Sequence, residues 1–311
     1  MVLFSIVIPL YNKESFIKDT LKSVLSQTFQ DFEVIIVNDG STDNSLNEVL
    51  KIKDSRIKVV EQENQGAAWA RNHGIKQANG LYIALLDADD TWKNNHLFEL
   101  KKQIDCFPEA GLFCNNYEIY STENTSRPAV FNFNFDKNCL IVDDYFKASI
   151  INSVAWTSAV GFSKEKFLAL GGFNPQLNTG QDIDLWIRFA LNYPVSFNPT
   201  ITMEYKLHVQ NSLSKQEQNE VRYQLIKNYR AAEQTNPSLK LYLDINRYAI
   251  AIRCKMNNQH LLFKKVKKEI ALNNLNLKQR LLLLCPKYLL VTFKQLQKEL
   301  LKRGLYLTAY K

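Results

Sequence analysis

Between Phe4 and Leu207 short runs of β-branched and other apolar residues alternate with stretches in which apolar positions recur every three or four residues. Unbroken apolar runs mark strands and a helical period marks helices, so their regular alternation predicts an α/β domain with a mainly parallel sheet. The expected elements are a strand over residues 4–9, a helix over 13–26, a strand over 33–37, a helix over 45–52, a strand over 57–60 and a helix over 66–78. Asn79-Gly80 ends that helix, and residues 81–86 form an apolar strand that runs straight into a group of acids. The stretch 111–160 is less regular, with strand-like, aromatic segments at 112–120 and 130–135. Beyond about residue 214 the pattern turns to long helical periodicity with many Lys, Gln and Asn. It divides the chain into an α/β domain over 1–213 and a mainly helical appendage over 214–311.

Charge sharpens that division. The net charge of +8 hides 19 basic against 25 acidic residues over 1–214, a net of −6, and 20 against 6 over 215–311, a net of +14. A basic tail points to a polyanionic partner, nucleic acid or an anionic membrane surface, or else to a solvated helical face. The composition, 46% hydrophobic and 23% charged, is that of a globular protein with an ample core. Cys106, Cys114, Cys139, Cys254 and Cys285 fit neither a zinc spacing nor a disulfide framework, and the apolar opening run is too short for a secretory or spanning segment. A reducing, cytoplasmic location is expected.

The candidate chemistry lies in four clusters. Asp87-Ala88-Asp89-Asp90 follows the apolar strand directly; carboxylates this close repel one another unless a cation sits among them, and Mg²⁺ or Mn²⁺ bridging to a diphosphate suits such oxygen ligands. An acidic turn capping the next helix is the alternative. Asn38-Asp39-Gly40-Ser41-Thr42-Asp43 ends another strand, where ligands gather in open α/β sheets, and Asp39 suits the polar edge of a base or ribose as well as a capping turn. In Asn64-Gln65-Gly66-Ala67-Ala68-Trp69-Ala70-Arg71-Asn72-His73-Gly74 the small residues permit close packing, Arg71 and Asn72 can reach a nucleotide, and His73 reads as structural. Gly180-Gln181-Asp182-Ile183-Asp184-Leu185-Trp186 places two further carboxylates before an amphipathic helix.

Together with Ser5-Ile6-Val7-Ile8-Pro9-Leu10-Tyr11-Asn12, these clusters occur in an order and spacing that resembles the bacterial-type family-two inverting glycosyltransferases of the GT-A fold, over about residues 1–213. The resemblance implies a Rossmann-like domain that binds a nucleotide-diphosphate sugar through Pro9, Tyr11, Glu14, Asp39 and Arg71, with Asp87 and Asp89 at the ribose, the diphosphate and a Mn²⁺ or Mg²⁺ ion. It favours a UDP-sugar. The acceptor is a hydroxyl of a saccharide or lipid-linked saccharide, as in surface polysaccharide or glycolipid synthesis. The general base falls on Asp182, with Asp184 as the second candidate; the residue before it, commonly Glu in the family, is Gln181 here and goes with the acceptor side. The chemistry demands such a base, because an acceptor hydroxyl must lose its proton as it attacks the anomeric carbon. Tyr205-Lys206-Leu207-His208 matches a further family stretch, placing His208 at the metal or the donor diphosphate, and Trp156 is a stacking platform for an acceptor sugar or a core aromatic.

The tail adds Lys264-Lys265, Lys267-Lys268 and apolar runs at 280–286 and 288–293 that are too short to cross a bilayer. Basic amphipathic helices lying on an anionic membrane are one expectation, making the protein peripheral on the cytoplasmic face; packing onto the catalytic domain or a second subunit is the other. A nucleotidyltransferase would leave Asp182 without a role and lacks a Gly-rich phosphate loop with a following Lys. Nucleic-acid binding would use the tail, which has neither zinc-finger spacing nor an aromatic RNA-binding signature, so no nucleic-acid partner is expected. Asn124-Thr125-Ser126 reads as an ordinary polar loop.

Overall fold

A computed structural model describes residues 2–122, 125–207, 218–302 and 305–310. Its centre is β1 (Phe4–Leu10), which is apolar on both faces because it lies between β2 (Phe32–Asp39) and β4 (Tyr82–Leu85), parallel to each. β3 (Ile57–Gln62) extends this parallel half beyond β2. The crossovers are α1 (Ile17–Leu25), α2 (Ser45–Leu50) and α3 (Ala67–Gln77). The third lies tight on the sheet through Gly74, where a β-carbon would come within 2.5 Å of Val7 Cγ1 and 3.0 Å of Val37 Cγ2. No larger residue leaves α3 at that depth.

The second half of the sheet is mixed, where the sequence pattern predicts mainly parallel strands. β9 (Val160–Ser163) runs antiparallel to both its neighbours, β4 and β6 (Leu112–Thr122), and so interrupts the parallel pairing after β4. β10 (Val195–Lys206) then lies parallel to β6, with β5 (Thr91–Trp92) antiparallel at its outer side. Two short strands complete the edges: β7 (Thr125–Pro128) folds back on β6 and β8 (Leu140–Ile141) pairs with β10. The path is β3-β2-β1-β4-β9-β6-β10-β5. The remaining helices of this part are α4 (His96–Cys106), α5 (Tyr145–Ala148), α6 (Lys164–Ala169) and α7 (Gln181–Asn192).

Residues 130–135 look like a strand in the sequence but form none. Phe131, Phe133 and Phe135 instead gather around Phe197, with ring centroids 5.1–5.4 Å away. The backbone finds its partners off the sheet, Val130 N–H on Asn152 Oδ1 and Asn132 N–H on the Ala148 carbonyl. Alternating aromatics cluster here without a ladder, Phe131 buried and Phe135 at the exposed edge.

The helical region comprises α8 (Asn219–Lys227), α9 (Ala232–Thr235), α10 (Pro237–Met256), α11 (His260–Lys268), α12 (Leu277–Leu284) and α13 (Lys287–Lys302). The expected boundary near residue 214 lies outside the described residues. α10 is its axis: Asn236 accepts the Leu239 N–H, Pro237 opens the first turn, and Leu239, Leu243, Ala251 and Cys254 are fully buried. Arg247, equally buried, is held by Glu233 and Asp244 at 2.7–2.9 Å. The region is docked on the sheet domain: Tyr242 meets the Phe146 ring at 5.8 Å, and Ser238 hydrogen-bonds Asp144. Among the described residues no helix is long and apolar enough to cross a membrane.

Candidate active site

The carboxyl ends of β1, β2 and β4 lie side by side, and the loops leaving them are stitched together by short polar side chains. After β1 the chain turns at Asn12, whose φ of 50° is tolerated because its side chain holds the next loop: Oδ1 accepts the Thr42 N–H at 2.8 Å. Glu14 accepts the Asn44 N–H at 2.9 Å and gives its own N–H to Asp43, so its carboxylate organises the start of α2. Pro9 sits inside β1 opposite Val37, and Tyr11 is half exposed at the strand's end.

Asp39, the last residue of β2, is buried. Its carboxylate accepts Gln62 Nε2 at 2.7 Å and the backbone N–H groups of Gln65 at 2.9 Å and Gly66 at 2.8 Å. These bonds draw residues 64–66 over the strand end and set where α3 begins, which brings Arg71 to the acids after β4. Arg71 Nη2 donates to Asp87 Oδ1 at 2.5 Å, and its guanidinium lies 5.5 Å from the Phe173 ring centroid. Its Nε and Nη1 are buried without a partner. Buried unmet donors cost about 1–3 kcal/mol each, so these two mark a place where acceptor oxygens belong.

The acidic loop is rigidly held. Ser158 accepts the Asp87 N–H at 3.0 Å and donates to Asp90 at 2.6 Å, Trp92 Nε1 donates to the Ser158 carbonyl at 2.6 Å, and Thr20 donates to the carbonyls of Ala88 and Asp90. Asp90 is turned inward, and burial, reinforced by Asp89 and Asp87, pushes its carboxyl well above the usual range. Asp89 faces Lys13, whose ammonium lies 2.6 Å from its carboxylate.

Across this loop stands the one-turn helix Thr157–Ala159. While Ser158 touches Asp87 and Asp90, Thr157 Oγ1 lies 3.5 Å from Asp182 Oδ2. Asp182 is the second residue of α7, which starts after Gly180 at a φ of 75°. Its other oxygen accepts only the Ile183 N–H, at 2.9 Å, among the hydrogen bonds described. Asp184 differs sharply. It is buried, one oxygen takes both Nε and Nη2 of Arg188 at 3.0 and 2.6 Å, and the other takes the Tyr229 hydroxyl at 2.7 Å. Gln181 is buried with Oε1 unpartnered. Trp156 stacks on Tyr117 at 5.3 Å and leans on Tyr205 at 4.4 Å, so one ring joins β6 and β10 to the edge of this turn.

The helical region closes the Asp182 side. Leu225 of α8 fills the space above Gly180, where a β-carbon would stand 2.9 Å from its Cδ1, and Tyr229 reaches Asp184. One turn before Leu225, Arg222 is largely buried with Nε unpartnered; burial and then Arg253 push its guanidinium down to about 10, against the pull of Asp182.

Of the residues singled out in the sequence, Asp39, Arg71, Asp87 and Asp89 come together at the strand ends, and Gln181, Asp182 and Trp156 face them across residues 157–158. His208 lies outside the described residues. Lys13, Thr157, Ser158 and Arg222 were not singled out. Lys13 stands in the loop after β1, where strand-end position gives a signal, whereas the other three lie in segments with no motif. The described residues form no group of three His, Cys, Asp or Glu able to cage a metal ion. Asp87 and Asp89 nonetheless fit a hard divalent ion of the kind that takes one or two carboxylates and completes its shell with phosphate oxygens and water. Lys13 would then be the group sharing or yielding Asp89.

Residues 5–168 match the family model described as Glycosyl transferase family 2. The glycosyltransferase GlyG of Streptococcus pneumoniae is 40% identical over 121 residues, 38% of this chain and 40% of GlyG. TuaG of Bacillus subtilis, a glycosyltransferase assigned to teichuronic acid biosynthesis, is 33% identical over 219 residues, covering 68% of this chain and 81% of TuaG. Among solved structures, Staphylococcus aureus TarS 1-349 in complex with UDP-GlcNAc superposes with a TM-score of 0.67 over 98% of this chain and 93% of that one, at 18% identity. That likeness speaks to the fold alone.

Proposed function

We propose that this chain, which belongs to Glycosyl transferase family 2 and has the GT-A fold with a helical C-terminal region, acts as a glycosyltransferase that moves a sugar from a UDP-sugar to an acceptor hydroxyl in one inverting step. The observation that carries the reading is the pair Thr157 and Ser158: one touches Asp182, the next touches Asp87 and Asp90, so a carboxylate with no cation in hydrogen-bond contact among the described residues faces the acid loop across a single turn. The UDP moiety is supported by the ligand in the TarS structure and by Asp39, Arg71 and Asp87 at the strand ends. Pro9, Tyr11 and Glu14 would border the base.

In the proposed step Asp182 accepts the acceptor O–H proton while that oxygen forms its bond to the anomeric carbon. The bond from that carbon to the diphosphate breaks in line, and its electron pair leaves with the nucleoside diphosphate; attack opposite the leaving group inverts the centre. Negative charge grows on the diphosphate, towards which the unpartnered Nε and Nη1 of Arg71 supply donors. Lys13 adds a cation beside Asp89. A Mn²⁺ or Mg²⁺ ion held by Asp89, with Asp87 beside it and His208 as a further candidate ligand, would supply Lewis-acid stabilisation of the same charge. Trp156 and Gln181 would receive the acceptor, a saccharide or lipid-linked saccharide of surface polymer synthesis, a reading TuaG's assignment supports. Asp184 is buried and engaged by Arg188 and Tyr229 at its two oxygens, which favours Asp182 as the base.

The test is turnover and binding across a panel of nucleotide sugars, with Mn²⁺ or with EDTA, for the wild type and for Asp182→Asn and Asp89→Ala. Loss of turnover by about 10²–10⁴-fold in Asp182→Asn with UDP binding kept is expected. Asp89→Ala should weaken both donor binding and the response to Mn²⁺. Retained turnover in Asp182→Asn would remove it as the base.

A further inference from the structure

The helices α12 and α13 each bury one face and leave the other unusually apolar. Leu283 and Leu290 are buried, whereas Leu277, Leu281 and Leu284, spaced at i, i+4 and i+7 on α12, and Tyr288, Phe293 and Leu296 on α13 are 47–71% exposed. Six large apolar side chains open to solvent over twenty residues are more than scattered surface hydrophobics account for. Between them the sequence over 277–298 places Lys278, Arg280, Lys287, Lys294 and Lys298 and no acid at all.

We propose that this face of α12 and α13 docks on the surface of an anionic lipid bilayer. Leucines and aromatics interleaved with lysines are the composition of a helix that lies in the headgroup plane, its apolar side chains below the phosphates and its cations among them. A second copy of the chain offers the wrong charge, because two such faces would set the exposed Lys278, Arg280 and Lys287 against the same three cations. No helix here is long and apolar enough to span, so the contact is peripheral among the described residues.

The docking also has a direction. The inner side of α13 is packed on the β6–β7 hairpin: Lys294, Gln297 and Leu301 border a cavity of about 270 Å³ with Ile119 and Arg127, and Arg127 lies 3.7 Å from the Tyr306 ring centroid. β6 and β10 carry Tyr117 and Tyr205, against which Trp156 is stacked. A bilayer beneath α12 and α13 therefore adjoins the side of the molecule on which the proposed function places the acceptor. The orientation rests on that proposal; the membrane contact does not.

The measurement is co-sedimentation of the full chain with sucrose-loaded vesicles of phosphatidylcholine alone and of phosphatidylcholine mixed with phosphatidylglycerol, at low and high salt. Binding should require the anionic lipid, fall steeply with salt, and drop more than tenfold in Leu281→Glu/Leu284→Glu. That variant alters only exposed positions and should keep the wild-type melting curve and the wild-type affinity for UDP in solution. Failure to bind anionic vesicles, or binding that the double substitution leaves intact, overturns the proposal. So does a dimer in light scattering that the same substitutions dissolve, since a second copy would then cover the face. UDP binding is read without vesicles, so failure of the membrane contact and failure of the glycosyl-transfer reading stay distinguishable.

Discussion

His96 offers a quantitative test of how the acid loop is supported. It is fully buried at the start of α4, stacked on Trp92 at 4.1 Å and 10°, with Nδ1 2.7 Å from the Thr202 hydroxyl and Nε2 unpartnered. The groups it touches, Trp92, Thr202 and Asn115, carry no charge. Burial therefore dominates and lowers its pKa from 6.5 to about 3. In the unfolded chain His96 protonates as pH falls below about 6.5, while in the folded chain it stays neutral to about 3, so its contribution to stability is present above 6.5 and is lost as pH falls through that window.

From pH 7 to pH 5 the unfolded state gains nearly a full proton on this residue, which corresponds to about 2 kcal/mol at 1.36 kcal/mol per unit of pKa. Urea unfolding of the wild type and His96→Gln at both pH values isolates it. Other titrating groups contribute to both proteins and cancel in the difference. His96→Gln should be less stable than the wild type at pH 7, having lost the Trp92 stack, but should lose about 2 kcal/mol less on going to pH 5. Equal losses in the two proteins would refute the reasoning and mean that the imidazole charges inside the folded chain. Because Trp92 Nε1 holds the Ser158 carbonyl, activity should fall with the same pH dependence wherever folding limits it.

Three further outcomes follow from single contacts. Asp184→Asn removes the charge that holds Arg188 and should destabilise the chain by about 3 kcal/mol in urea titration, while the turnover of the folded fraction stays near wild type. Arg71→Lys keeps a cation but not the planar donor set, and calorimetry should find UDP bound about tenfold more weakly. Gly180→Ala forces a side chain into left-handed backbone and against Leu225 Cδ1 at 2.9 Å; about 1–2 kcal/mol of lost stability is expected, read as a lowered melting temperature.

Local signals carried the centre of the parallel half because β1 and β2 are buried on both faces, so apolar run and strand coincide there, while β3 at the edge keeps Lys58 and Glu61 exposed. Where burial and pairing part company the sequence misleads. Phe131, Phe133 and Phe135 alternate like a strand yet gather around Phe197 with the backbone of the segment tied elsewhere. Antiparallel β9 is only four residues long, and its placement between β4 and β6 is set by its partners rather than by its own pattern. The candidate site divides in the same way. Asp39, Asp87 and Asp89 sit at or just after strand ends, which singles them out, and Arg71 lies in the motif-bearing helix α3. Ser158 and Thr157, which join the acids to Asp182, lie in a stretch with no periodicity.

The distinction between Asp182 and Asp184 shows most directly what the tertiary contacts add. Both lie in the first turn of α7, and nothing in their spacing ranks one above the other. The partner that separates them, Tyr229, comes from forty-five residues away in the helical region. Its hydroxyl and Arg188 absorb Asp184, while Leu225 seats α8 on Gly180 and brings Arg222 to the neighbourhood of Asp182. The start of the helical region, α8 and the turn that follows it, therefore bears on which carboxylate is committed to structure, so truncating the chain before α8 should damage Asp182's surroundings even though every family motif would remain.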